Sequence, residues 1–129
     1  MSSKPDIKAF RIGKSDEAFE MATLAIDKGF FNSAASSLYY TCFYLISALL
    51  VEHDLSVTTH AGLKTLFGLK FVKEGLIDKK WSKLLTTLFD RRHESDYEDF
   101  FIMSEKEVRE LYKEVVEFRI VLKDKLEVS

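Results

Sequence analysis

The chain has 129 residues, enough for one domain with one hydrophobic core, and we expect a single domain over residues 1–129 with its core in about 15–122. Its net charge of −2 excludes a general attraction to nucleic acid, so any RNA contact needs a local basic site. One proline and five glycines argue against a turn-rich β architecture and favour long helices.

Cys42 is the only cysteine, which excludes an intramolecular disulfide and a cysteine-based zinc site. Its place in an apolar run predicts a small buried residue. No histidine pair has metal-ligand spacing with an acidic partner, and no glycine-rich nucleotide loop is present, so we expect neither a metal nor a cofactor. The polar N-terminus has no apolar segment behind it, which predicts a cytoplasmic protein.

The first predicted helix covers Ser2–Gly29, with a break near Gly13. Ser15 precedes two acidic residues, a pattern typical of a helix N-terminus, so we expect the main part of this helix to begin there. Gly29 is expected to end it.

The second predicted helix contains the stretch Phe30–Val51, which has no charged residue. Its length suits a membrane span, but Asn32 and many hydroxyl groups would be penalised in lipid, so we predict the central helix of a bundle and no membrane association. Asn32 is expected to cap this helix, which would end near His53 or Asp54.

Two stripes run along this helix at three- and four-residue steps. The apolar stripe contains Ala34, Ala35, Leu38, Tyr39, Cys42, Ile46 and Leu49, and the small polar stripe contains Ser33, Ser36, Ser37, Tyr40, Thr41, Tyr44 and Ser47. The polar stripe predicts close approach of either another helix or a second copy of the protein.

Three more helices follow. Thr59 is expected to cap the third, which lasts until Gly75, and Asp78 the fourth, which continues into Arg91–Tyr97. After a connection over Glu98–Met103, which holds Phe100, Phe101 and Ile102, a capping box should open a fifth helix ending near Leu126. That box consists of Ser104 and Glu107. The sequence thus predicts an all-α fold, a single up-and-down bundle of about five helices.

The densest polar cluster is the segment 91–99, which holds two arginines, one histidine, four carboxylates and one tyrosine. Arginine forks suit phosphate, nearby carboxylates could orient them, and His93 could carry a proton near neutral pH. The alternative is a solvated helix end whose arginines pair with neighbouring acids. His60 is a second candidate because Gly62 would permit close approach of a backbone or ligand; otherwise His60 caps or packs against its helix.

A set of short sequence blocks resembles the HEPN superfamily, and in particular its small stand-alone members, often encoded beside a minimal nucleotidyltransferase. The blocks are Ala34, Tyr39-Tyr40, Ala48-Leu49-Leu50, His60-Ala61-Gly62, Phe67, Phe71-Val72-Lys73-x-Gly75 and Arg92-x-x-x-Asp96-Tyr97. The resemblance implies an all-helical bundle, a homodimer and a site at the dimer cleft. It also implies a toxin-like, metal-independent endoribonuclease, with RNA and a nucleotidyltransferase as partners.

The resemblance has one departure in its active-site motif. HEPN ribonucleases have an arginine followed, after a short spacer, by a histidine, but here Asp96 or Tyr97 stands at that position and His93 comes too soon. Tyr97 is the nearest equivalent of a tyrosine that receives adenylates in some members. The expected catalytic residues are Arg91, Arg92, Asp96 and His60, and the expected binding residues are Tyr97, His93 and Tyr40.

Three functions remain open from the sequence. The first is the endoribonuclease. The second is a non-catalytic helical module that binds a nucleotidyltransferase, a nucleotide or RNA without cleavage. The third is a scaffold in which the polar cluster is structural, with Asp96 holding Arg92 across the bundle and Tyr97 packed under the fifth helix.

Overall fold

The computed structural model describes residues 3–126, and within this range it contains five α-helices and no strand. The helices are α1 (Lys4–Lys28), α2 (Phe31–Glu52), α3 (His60–Phe67), α4 (Lys80–Tyr97) and α5 (Glu105–Lys125). A π-helical turn, Gly68–Val72, directly extends α3. The all-α bundle predicted from the sequence is confirmed.

Helix α2 forms the centre of the fold because α1, α3, α4 and α5 all pack against it. Its predicted apolar stripe is buried throughout, from Ala34 to Leu49. Among the described residues, α2 is the one helix long and apolar enough to cross a bilayer. However, 72% of its most apolar 18-residue stretch is buried by the rest of the protein. Cys42 is also fully buried, and this burial raises the pKa of its thiol.

Helix α1 is continuous, so the predicted break at Gly13 is wrong. A glycine inside a helix costs about 1 kcal/mol relative to alanine, and the long contact of α1 with α2 outweighs this cost. The helix begins instead at a capping box, in which the Ser3 hydroxyl accepts from the Asp6 amide and Asp6 accepts from the Ser3 amide. Gly29 ends the helix with a left-handed φ of 77°, as predicted.

The polar stripe of α2 faces α1 at its centre. Ser15, which does not start a helix, is buried and its hydroxyl donates to the Thr41 carbonyl over 2.6 Å. Thr41 and Ser47 are buried too. For this part of the stripe, the close neighbour is therefore another helix of the same chain.

Asn32 does not cap α2, because the helix already begins at Phe31 and Asn32 lies inside its first turn. Its side chain instead holds the connection between α4 and α5. Nδ2 donates to the Phe101 carbonyl over 2.9 Å, and Oδ1 accepts from the Met103 amide over 2.7 Å. The prediction failed because the partner of the amide is about seventy residues away.

The other predicted caps are correct in part. Thr59 caps α3 by accepting from the Gly62 amide, and Ser104 caps α5 by accepting from the Glu107 amide. The Glu107 carboxylate does not complete a capping box, because it binds Arg91. Asp78 accepts from the Lys80 amide, so it orders the turn just before α4 without being the residue next to the helix.

Candidate functional site

Helix α4 places its two arginines on different faces, because consecutive helical residues are about 100° apart. Arg91 points to α5, where its Nε lies 3.0 Å from Glu107 Oε2, and its Nη1 donates to Glu94 over 2.6 Å. The hydrogen bond with Glu107 raises the pKa of Arg91. The structure therefore does not bring Arg91 together with Arg92.

Arg92 points to α2 and lies against three tyrosines. Its Nη2 donates to the Tyr40 hydroxyl over 2.6 Å and approaches the Tyr97 hydroxyl at 3.3 Å. The guanidinium carbon lies 5.3 Å from the Tyr40 ring centroid, 5.2 Å from that of Tyr97 and 5.8 Å from that of Tyr39. Such cation–π contacts orient a guanidinium whose side chain is only 17% exposed.

Asp96 is the carboxylate partner of Arg92. Its Oδ2 lies 3.1 Å from Arg92 Nε, although the angle is too bent for a hydrogen bond, so Nε is buried without one. The Ser36 hydroxyl on α2 donates to the same carboxylate oxygen over 3.3 Å. Asp96 therefore does not hold Arg92 across the bundle, since both residues lie on α4; Tyr40 makes the link to α2 instead.

Tyr97 and His93 form the exposed edge of the cluster. Tyr97 is 64% exposed, so the interpretation that it packs under α5 is wrong. The exposed His93 ring lies 5.1 Å from the Tyr97 ring and 6.2 Å from the Phe89 ring. A molecule arriving from solvent would thus meet Tyr97 and His93 first.

His60 reaches the cluster from α3. Its Nδ1 lies 2.9 Å from the Tyr39 hydroxyl, and its ring stacks on Phe89 with 3.8 Å between centroids and 14° between planes. Burial lowers the pKa of His60, and the charges of Lys64 and Arg92 lower it further, against an opposing effect of Asp90. The surroundings of His60 therefore favour its neutral form.

Tyr39 contacts both His60 and Arg92. Burial and the neighbouring Tyr40 raise the pKa of Tyr39, although Arg92 acts in the opposite direction, so the hydroxyl stays protonated. The sequence placed Tyr39 in the apolar stripe, and its ring is indeed 2% exposed. The missed role depends on the hydroxyl, which reaches a histidine twenty-one positions away in the chain.

The structure thus brings together four of the predicted residues, Arg92, Asp96, Tyr40 and Tyr97. His93 borders them, and His60 connects to them through Tyr39. A guanidinium at a half-buried surface can neutralise a phosphate, and the carboxylate beside it can accept a proton. Over residues 3–126, no group of three or more histidine, cysteine, aspartate or glutamate side chains is arranged to hold a metal ion.

Comparison with known proteins gives the same family over nearly the whole chain. Residues 9–125 match the family model of the HEPN domain. A UPF0332 protein from Thermotoga maritima is 30% identical over 110 residues, which cover 85% of this chain and 83% of that protein.

Two proteins from Methanocaldococcus jannaschii, named "Putative toxin MJ0605" and "Putative toxin MJ0142", are 30% and 25% identical. These matches cover 64% and 67% of this chain, and 62% and 59% of the two relatives. The family match and the helical bundle together show that the chain belongs to the HEPN domain family.

Proposed function

We propose that this protein is a toxin-like, metal-independent endoribonuclease whose centre is the cluster of Arg92, Asp96, Tyr40 and Tyr97. The observation that carries the proposal is the placement of Arg92. Its guanidinium is oriented by tyrosine hydroxyls and rings at the α2–α4 surface, with the exposed Tyr97 and His93 beside it. The relatives that are named as toxins also support a toxin-like function.

The proposed reaction is attack of a ribose 2′-hydroxyl on the adjacent phosphorus, which forms a 2′,3′-cyclic phosphate. The P–O5′ bond breaks, and the 5′-oxygen leaves with its electron pair and takes a proton from water. Arg92 stabilises the charge that develops on the phosphate oxygens. A phosphate on Arg92 would compete with Asp96, whose contact with the guanidinium is bent and partly exposed. The displaced Asp96 carboxylate then accepts the proton of the 2′-hydroxyl.

The test is cleavage of single-stranded RNA and transfer RNA by the purified protein. We expect cleavage by the wild type and a loss of at least about hundredfold in Arg92→Ala, because an oriented charged donor contributes a few kcal/mol to such a transition state. Arg109→Ala is the matched control, since Arg109 is an exposed arginine that pairs with Glu105 one turn away on α5. Intact RNA after long incubation with concentrated wild-type protein would overturn the proposal.

A second candidate function is a non-catalytic module that binds a nucleotidyltransferase, a nucleotide or RNA. The observation that favours it is that Tyr40, Tyr97 and Asp96 already surround the donors of Arg92. Tyr97, with its exposed phenol, would then be the acceptor for adenylates from such a partner. Stable complex formation with a nucleotidyltransferase, without RNA turnover, would support this function over the first.

A homodimer is part of both proposals. The support is a strip of half-buried aromatic rings on α2 beside the site, formed by Tyr40, Phe43 and Tyr44. A second copy packed on this strip would bring two Arg92 clusters to one cleft. We expect light scattering to give twice the 14.9 kDa chain mass at micromolar concentration, whereas a monomeric mass would contradict the dimer.

A further inference from the structure

The least explained residue of the site is His60, whose two ring nitrogens have different surroundings. Nδ1 lies 2.9 Å from the Tyr39 hydroxyl, while Nε2 has no hydrogen-bond partner among the described residues. The ring is held in place by stacking on Phe89. The backbone of His60 is held as the first residue of α3, directly after the capping residue Thr59. Its possible role depends on which nitrogen carries the proton.

The hydrogen bond with the Tyr39 hydroxyl determines which nitrogen of His60 carries the proton. A phenol is a better hydrogen-bond donor than a neutral imidazole N–H, and an imidazole nitrogen is a better acceptor than a phenol oxygen. Tyr39 is 2% exposed, so a hydroxyl that only accepted would leave its own hydrogen buried without a partner. The favoured arrangement therefore has Tyr39 donating to Nδ1, which leaves the ring proton on Nε2.

We propose that Tyr39 is a positioning residue that fixes His60 as a neutral hydrogen-bond donor through Nε2–H, and that this donor binds a phosphate oxygen of the substrate beside Arg92. The substrate part of this inference rests on the proposed function. In this role His60 supplies a hydrogen-bond donor and not a base. The chemistry favours the donor role because a neutral N–H adds no charge beside the Arg92 guanidinium.

The first test needs no RNA. Two-bond proton–nitrogen spectra of ¹⁵N-labelled protein at neutral pH report which nitrogen of each histidine is protonated, and His60→Gln assigns the signals. We expect His60 to be more completely protonated at Nε2 than the exposed His93, and Tyr39→Phe to remove this difference. A proton on Nδ1 in the wild type, or an unchanged spectrum in a folded Tyr39→Phe variant, would overturn the proposal.

The second test separates donor from base by substitution. A glutamine amide can place an N–H near the position of Nε2 but cannot accept a proton, so RNA cleavage in His60→Gln should exceed that in His60→Ala by roughly tenfold, the value of one hydrogen bond. Equal losses in both variants would overturn the donor role. If the wild type does not cut RNA, the proposed function fails, and the nitrogen spectra still decide the link between Tyr39 and His60.

Discussion

Neighbouring residues in this chain differ in role because their partners come from different helices. Arg91 and Arg92 look equivalent in the sequence, but one binds carboxylates on α4 and α5 and the other binds tyrosines on α2. Helical geometry alone predicts that they diverge, whereas the identity of each partner depends on the packing of three helices. The sequence could therefore indicate the cluster but not which arginine belongs to the site.

The pKa of His60 gives a prediction at this scale. In the folded protein it lies below its ordinary value of 6.5, because of burial first and then the charges of Lys64 and Arg92, against Asp90. Below pH 6.5 the unfolded chain therefore binds more protons at His60 than the folded chain, so this residue makes stability fall as pH falls through that window.

Urea unfolding above and below pH 6.5 measures this effect, with His60→Gln as the comparison. We expect the wild type to lose more stability on acidification than His60→Gln, which has no group that titrates there. Identical pH dependence of the two proteins would show that the neutral form of His60 is not favoured by the fold.

At the scale of elements, the connection between α4 and α5 is ordered by one side chain. Asn32 bonds both the Phe101 carbonyl and the Met103 amide. Phe101 and Met103 turn toward the core, while Phe100 and Ile102 are 99% and 84% exposed. Phe100 also adopts a left-handed φ of 63°, which is uncommon for an aromatic residue and requires support from its surroundings.

Removing the Asn32 side chain should therefore loosen the connection between α4 and α5. We expect Asn32→Ala to lower the free energy of unfolding by about 2 kcal/mol, because two partly buried backbone groups lose their partner. It should also speed hydrogen exchange of the Met103 amide. The control is Ser33→Ala, a change at an exposed neighbour on the same helix, and a loss no larger than in this control would contradict the assignment.

The elements show which signals a sequence carries. Periodic apolar residues and the caps at Thr59 and Ser104 predict the presence of the helices, though not every helix start, because both signals are local. Ser15, Asn32 and Glu107 each resemble a capping residue in the sequence, but the side chain of each bonds a distant element. Short polar side chains can satisfy either kind of partner, and only the packed structure distinguishes the two.

At the scale of the whole molecule, a central helix without a charged residue before its last position, Glu52, positions a charged site at the surface of the bundle. The buried stripe of α2 packs against the four other helices, and the same helix contributes Tyr39 and Tyr40 to the site. Arg91 joins α4 to α5, and Arg92 binds the tyrosines of α2. In the proposed function, the first arginine stabilises the bundle and the second acts on RNA.

The most direct test measures RNA cleavage and melting temperature together for Arg91→Ala and Arg92→Ala. We expect Arg91→Ala to melt several degrees lower, from a loss of about 1 kcal/mol, while it keeps most of its cleavage per folded molecule. Arg92→Ala should stay folded and lose cleavage by at least about hundredfold. If Arg91→Ala abolishes cleavage and Arg92→Ala cuts RNA like the wild type, the assignment of the site to Arg92 is wrong.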